Sequence, residues 1–116
     1  MKVPFNINLS GKTAIVTGGS GTLCSAMAYG LAVSGAKVAI IGRNIEKLAS
    51  VSEKLTKNAL DEYNKDVTIK GYSCNVINND ELTAAYETIK NELGSCDILI
   101  NGAGGNQPGA ITSIEM

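Results

Sequence analysis

The segment Thr17-Gly18-Gly19-Ser20-Gly21-Thr22-Leu23-Cys24 has the residue types and spacing to hold a phosphate. It follows a short β-branched run, Thr13-Ala14-Ile15-Val16-Thr17, and precedes apolar residues at helical spacing. Glycine permits a tight turn there and lets the backbone approach a pyrophosphate. The N-terminus of the helix that follows offers unpaired N–H groups and positive partial charge. Gly19, Gly21 and Cys24 match the form G-x-G-x-x-small in that strand-to-helix context. A second feature stands one unit later, where Lys37-Val38-Ala39-Ile40-Ile41 runs into Gly42-Arg43-Asn44. In dinucleotide folds an acidic residue at this point holds the ribose 2′-hydroxyl and favours NAD. Here the position is Gly42, and the next residue, Arg43, is the sole arginine of the chain. A planar guanidinium can fork onto a 2′-phosphate. The expectation is therefore NADP(H) in preference to NAD(H), with NAD(H) still admissible at a neutral turn.

These residues need a scaffold, and the pattern supplies one by alternation. Leu23, Met27, Gly30, Leu31 and Ser34 follow helical spacing up to Gly35, which is well placed to stop a helix. Ile45, Leu48, Leu55 and Ala59 mark one face of a second helix. Val67 to Tyr72 predicts a third strand, less apolar and so nearer a sheet edge. Asn78 or Asn79 can cap a third helix, whose apolar stripe is Leu82, Ala85, Tyr86, Ile89 and Leu93. Asp97-Ile98-Leu99-Ile100 predicts a fourth strand, and Thr112 or Ser113 a cap for a further helix. Strands alternating with helices imply parallel pairing through right-handed crossovers. The expected fold is a doubly wound α/β (Rossmann) sheet, βαβαβαβ, with strand order 3-2-1-4. No linker divides residues 1–116, so one domain is expected.

Composition excludes several classes. The 116 residues are 44% hydrophobic and 18% charged, a globular balance. Ten basic against eleven acidic residues carry no footprint for nucleic acid or an anionic membrane. There is no histidine, which removes His-based zinc sites and Ser-His-Asp triads. No metal site is expected. Cys24, Cys74 and Cys96 are scattered and odd in number, as reduced thiols of a cytoplasmic protein would be. No signal-peptide pattern opens the chain, and no apolar run approaches the length of a membrane helix.

The segments Phe5-x-x-x-Leu9-x-Gly11-Lys12-x-Ala14-Ile15-Val16-Thr17-Gly18-Gly19, Gly35-Ala36-Lys37-Val38-Ala39-Ile40 with Gly42-Arg43-Asn44, and Asp97-Ile98-Leu99-Ile100-Asn101-Gly102-Ala103-Gly104-Gly105-Asn106 together resemble the short-chain dehydrogenase/reductase family. That family's glycine motif is T-G-x-x-x-G-x-G. Thr17 and Gly18 match it, whereas Thr22 and Cys24 stand at its last two glycines. The G-G-x-G-x-L-C turn resembles the D-mannonate oxidoreductase (fructuronate reductase) branch. The resemblance implies a cofactor contact set of Gly18, Ser20, Gly21, Thr22, Leu23, Arg43, Asn44, Asn75, Val76, Asn101, Ala103 and Gly104. Asn75-Val76 takes the place of an Asp-Val that meets adenine, and Asn75 keeps a carbonyl acceptor. Asn101-Gly102-Ala103-Gly104 resembles N-N-A-G, with Gly102 for the second Asn.

The family's chemistry is hydride transfer between carbon and nicotinamide, with a Tyr and Lys spaced Y-x-x-x-K and a Ser beside them. Those residues are expected beyond Met116. Tyr86-Glu87-Thr88-Ile89-Lys90 has the spacing but falls on the third helix, with Tyr86 in the apolar stripe; no catalytic residue is assigned. The chain accordingly resembles the N-terminal half of an enzyme about twice as long. The implied function is the NADP(H)-binding portion of an oxidoreductase acting on a CH–OH group of a sugar acid, in a homo-oligomer. The alternative is a non-catalytic dinucleotide-binding or sensor module. The chain alone is expected to be inactive, with the fourth strand an open apolar edge.

Overall fold

The computed structural model describes residues 8–18, 21–75, 77–102 and 114–115, with Thr22, Ile114 and Glu115 described by backbone alone. The elements are β1 (Thr13–Thr17), α1 (Thr22–Val33), β2 (Lys37–Gly42), α2 (Ile45–Tyr63), β3 (Ile69–Ser73), α3 (Asn79–Glu92), β4 (Ile98–Asn101) and β5 (Ile114–Glu115). They build a sheet of order β3-β2-β1-β4-β5. The first four strands are parallel, in the order 3-2-1-4 that the alternation predicts.

Alternate side chains of these strands go to opposite faces, and both faces are apolar, as a covered parallel sheet requires. Ala14, Val16, Val38 and Ile40 pack under α1 and α2. Ile15, Ala39 and Ile41 pack under α3. The crossover hand explains this division. Steps β1→β2 and β2→β3 move one way across the sheet, so their helices lie on one face. The step β3→β4 returns past β1, so α3 lies on the other.

The helix ends are built locally. Asn44 caps α2, its Oδ1 accepting from the N–H groups of Glu46 and Lys47 at 3.0 and 3.1 Å. Asn78 caps α3 in the same way. Asn64 closes α2 in the left-handed region at φ 53°. At Gly71 an added Cβ would lie 2.7 Å from Leu48 Cβ, so glycine lets α2 sit down on β3. At the amino edge of the sheet, Thr13 ties β1 to the α3–β4 turn. Its Oγ1 donates to the Leu93 carbonyl at 3.0 Å, and its N–H donates to Asp97 Oδ2 at 2.9 Å.

Three expectations need correction. Residues 114–115 form a strand, not the start of a helix. They pair antiparallel with β4, Leu99 opposite Glu115 and Ile100 opposite Ile114. The β4 edge is therefore partly paired rather than open; an unpaired ladder of N–H and C=O groups is satisfied by whichever strand reaches it. The proposed cap residues Thr112 and Ser113 lie outside the described residues. The third strand also begins two residues later than the β-branched run, at Ile69.

Candidate dinucleotide site

Strand order reverses at β1. Its crossover leaves towards β2, whereas β4 is reached from the other side. A crevice opens at the carboxyl ends of parallel strands where order reverses in this way. The sequence puts its glycine-rich turn at that point.

Gly18 ends β1 with φ +75°, a conformation an L side chain would strain. Its N–H donates to the Ile41 carbonyl at 2.9 Å, and its carbonyl accepts from the Gly21 N–H at 3.0 Å. A Cβ on Gly21 would meet that same carbonyl oxygen at 3.4 Å. The chain then enters α1 with Gly21 as N-cap, without a side-chain cap and without an acidic residue in the first turn. The contrast with the other two helices is chemical. α2 and α3 carry Asn caps and acidic first turns, Glu46 in one and Asp80 and Glu81 in the other. Their N-termini are already satisfied by the protein's own oxygens. The α1 N-terminus keeps its N–H groups and positive partial charge for an external anion. A diphosphate fits this donor set, and no carboxylate at the turn opposes it.

The other expected contacts line the same edge of the sheet. Arg43 is exposed after β2, and its carbonyl accepts from Ser73 Oγ at 3.0 Å. Asn44 is occupied as the α2 cap through its Oδ1, which leaves its amide nitrogen as the group to offer outward. Asn75 shapes the turn after β3. Its Oδ1 accepts from the Ile77 N–H at 3.3 Å, and its own N–H donates to Glu81 Oε1 at 3.2 Å. Asn101 Oδ1 accepts from Thr17 Oγ1 at 2.9 Å, which clamps β4 to β1. Ser20, Val76, Ala103 and Gly104 lie outside the described residues, as does the Thr22 side chain.

An apolar rim at this edge was not apparent from sequence. Leu23 and Ile77 are 69% and 78% exposed, and Ile45 is 49% exposed. Each stands in the first turn of a helix or just before one, so all three ring the carboxyl edge. Helical spacing had counted Leu23 and Ile45 with the apolar faces of α1 and α2; in the first turn of each helix they instead project past the sheet edge and stay exposed.

Tyr86 and Lys90 do not join this site. Tyr86 is half-buried against the cluster of Ile15, Ile41 and Ile89. Lys90 is one turn further along α3, towards the end that meets Gly94 before β4, at the amino edge of the sheet. The three thiols are free, and burial pushes those of Cys24 and Cys74 up. No described helix is long and apolar enough to cross a membrane.

Comparison with known proteins follows from that geometry. The family model for short chain dehydrogenases matches residues 12–116. The chain belongs to that family. It is 45% identical over 113 residues to UxuB of Bacillus subtilis, an uncharacterised oxidoreductase, covering 97% of this chain and 38% of that protein. A crystal structure from Haemophilus influenzae, of a proposed D-mannonate oxidoreductase with bound NAD, superposes with a TM-score of 0.76 at 36% identity. That match covers 89% of this chain and 34% of the other. The L-sorbose reductase of Gluconobacter frateurii, complexed with NADPH and L-sorbose, superposes with a TM-score of 0.74 at 26% identity, covering 92% of this chain and 38% of that one. The chain thus spans a third to two-fifths of the length of these relatives, rather than half. Solved relatives hold NAD or NADPH, which supports a nicotinamide dinucleotide as the class of cofactor.

Proposed function

We propose that this chain is the dinucleotide-binding part of an oxidoreductase that interconverts a hydroxyl and a ketone on a sugar acid, with NADP(H) preferred over NAD(H). One observation carries the reading. The uncapped, acid-free N-terminus of α1 follows a glycine turn at the point where strand order reverses. Residues 1–116 act as a single unit in it. The turn from Gly18 to Leu23 binds the pyrophosphate: Gly18 and Gly21, whose own N–H groups are used within the protein, shape it, and the N–H groups of Ser20, Thr22 and Leu23 are the donors. Arg43 and the Asn44 amide hold the adenosine ribose and its 2′-phosphate. Asn75 and Val76 meet the adenine, and Asn101, Ala103 and Gly104 approach the nicotinamide-side ribose. The bound dinucleotide would give the hydride in reduction and take it up in oxidation; these residues bind and orient it.

The sugar-acid class is supported by the Haemophilus relative, and carbohydrate chemistry more broadly by the sorbose reductase. Free, partly buried thiols support a reducing, cytoplasmic location. The reading includes a homo-oligomer, for which size-exclusion chromatography is the measurement.

Two variants test the cofactor assignment. Gly21→Asp puts bulk and negative charge where the diphosphate would lie. Calorimetry should show loss of both NADPH and NADH, and unchanged affinity would remove the turn from the site. Arg43→Ala removes one charge-assisted contact worth about 1.5–3 kcal/mol, or roughly ten- to hundred-fold in affinity. That loss should fall on NADPH and spare NADH. Equal losses would refute the NADP preference. Absorbance assays with a panel of sugar acids should show no turnover by residues 1–116, and Tyr86→Phe should change nothing. Turnover abolished by that variant would make Tyr86 catalytic.

A further inference from the structure

Two of the positions at which this chain departs from its family's motifs touch each other. Cys24 stands in the first turn of α1 and Gly102 directly after β4. A Cβ built on Gly102 would lie 2.2 Å from Cys24 Sγ and 3.1 Å from the Thr17 carbonyl oxygen, but 3.9 Å from Cys24 Cβ. The thiol therefore occupies the volume that any side chain at position 102 would enter. The backbone around that contact is fixed from the other side. The Gly102 N–H donates both to the Thr17 carbonyl, at 3.2 Å, and to Thr17 Oγ1, at 3.1 Å. Thr17 is itself 4% exposed. Gly102 is thus held between β1 and α1, with hydrogen bonds on one side and a sulfur atom on the other.

We propose that Cys24 is a positioning residue for the dinucleotide site: its thiol rests on Gly102 and sets the gap between the first turn of α1 and the carboxyl end of β4. The two segments it separates are those assigned to the pyrophosphate and to the nicotinamide-side ribose, so the consequence for binding rests on the proposed function. The contact itself does not. The volume is shared: it is filled either from the helix, with glycine on the strand, or from the strand, with a small residue on the helix.

A mutant cycle on the intact protein tests this. The chains are native, Cys24→Ala, Gly102→Ala, Cys24→Ala with Gly102→Ala, and Cys24→Ser. Thermal unfolding reads the contact. Fluorescence titration with NADPH and NADH reads positioning, and NMR titration with adenosine reads the adenine end alone. Gly102→Ala should lower the melting temperature by roughly 5–10 °C, the scale of overpacking in a small domain. It should weaken dinucleotide binding by roughly tenfold while adenosine binding holds within about twofold. The double variant places two methyl groups at the 3.9 Å spacing and should recover most of both losses. Cys24→Ser should stay near native. A native melting temperature for Gly102→Ala, or a double variant no better than Gly102→Ala, overturns the shared-volume contact. Adenosine and dinucleotide affinities falling together overturn the positioning role. If Gly102→Ala fails to fold, a folded double variant supports the proposal and an unfolded one overturns it. Native protein that binds no nicotinamide dinucleotide would retire the proposed function and the positioning role with it, while the melting temperatures still decide the contact.

Discussion

The two faces of the sheet are covered unequally. Under α1 and α2, the side chains of four strands meet two helices. That face is closed, with Leu48, Ala59 and Ala28 fully buried. Among the described residues, the opposite face is served by α3, a helix of 14 residues, and a cavity of about 490 Å³ remains beside it. Ile15, Tyr86, Ile89 and Leu99 line that cavity. The difference follows from the crossover hand: two crossovers in one direction stack two helices on one face, and a single return places one on the other. This hollow lies beside α3 and reaches the amino edge at Gly94 and Ser95, while the glycine turn sits at the carboxyl edge. Tyr86 and Lys90 line that hollow; the helix N-terminus leads to Gly18 and Gly21.

The sharpest test of this asymmetry is a pair of truncations. Leu48→Ala, on the closed face, should cost about 2–5 kcal/mol in denaturant unfolding. Leu99→Ala, on a wall that already borders a cavity, should cost less than about 1.5 kcal/mol, because few atoms are lost from contact. Equal losses would mean that the second face is as tightly packed as the first.

Gly71→Ala attacks the closed face by overfilling it. The new methyl would sit 2.7 Å from Leu48 Cβ, so α2 must lift from β3. A loss of about 1–3 kcal/mol is expected, and Leu48→Ala, which keeps the Cβ that the new methyl meets, should not recover it. Recovery in the double variant would show that the methyl at position 71 presses on the outer part of the Leu48 side chain rather than on its Cβ.

Each face also has one tyrosine tied to a carboxylate. Tyr29 OH donates to Glu62 at 2.5 Å and joins α1 to α2. Tyr72 OH donates to Glu92 at 2.7 Å and joins β3 to α3. Tyr29→Phe and Tyr72→Phe should each cost about 1 kcal/mol, and urea midpoints would show it. A much larger loss at Tyr72 would mean that α3 depends on this single contact to stay docked.

The smallest effect is on acid stability. The Lys70 ammonium and the Tyr72 hydroxyl hold the Glu92 carboxyl below its ordinary value of 4.5. A depressed carboxyl stabilises the fold above its unfolded value and loses that contribution as pH falls through the folded one. Native protein should therefore lose a little more stability than Glu92→Gln as pH is lowered below about 4.5. Parallel pH profiles for the two would remove Glu92 from the docking of α3.

The sequence by itself determined what depends on neighbours along the chain. β-branched runs specified β1 and β2, apolar spacing specified α1 to α3, and Asn44 and Asn78 stood where caps were needed. Handedness then converted that list into the order 3-2-1-4, because a right-handed crossover leaves little choice of face. The glycine turn was legible for the same reason: strand, turn and helix are contiguous. What only the tertiary structure decided depends on residues far apart in sequence. Cys24 and Gly102 looked like two separate departures from a motif until the fold brought sulfur and Cα together. Asn75 carried the acceptor group expected of a ligand contact, yet its oxygen accepts from the N–H two residues on, as that of Asn44 accepts from the N–H groups two and three residues on. Tyr86 and Lys90 had a catalytic spacing that their place on α3 turns away from the site. Pairing of Ile114 with Ile100 was likewise invisible, since antiparallel registration depends on where the edge of a finished sheet leaves N–H and C=O groups unpaired.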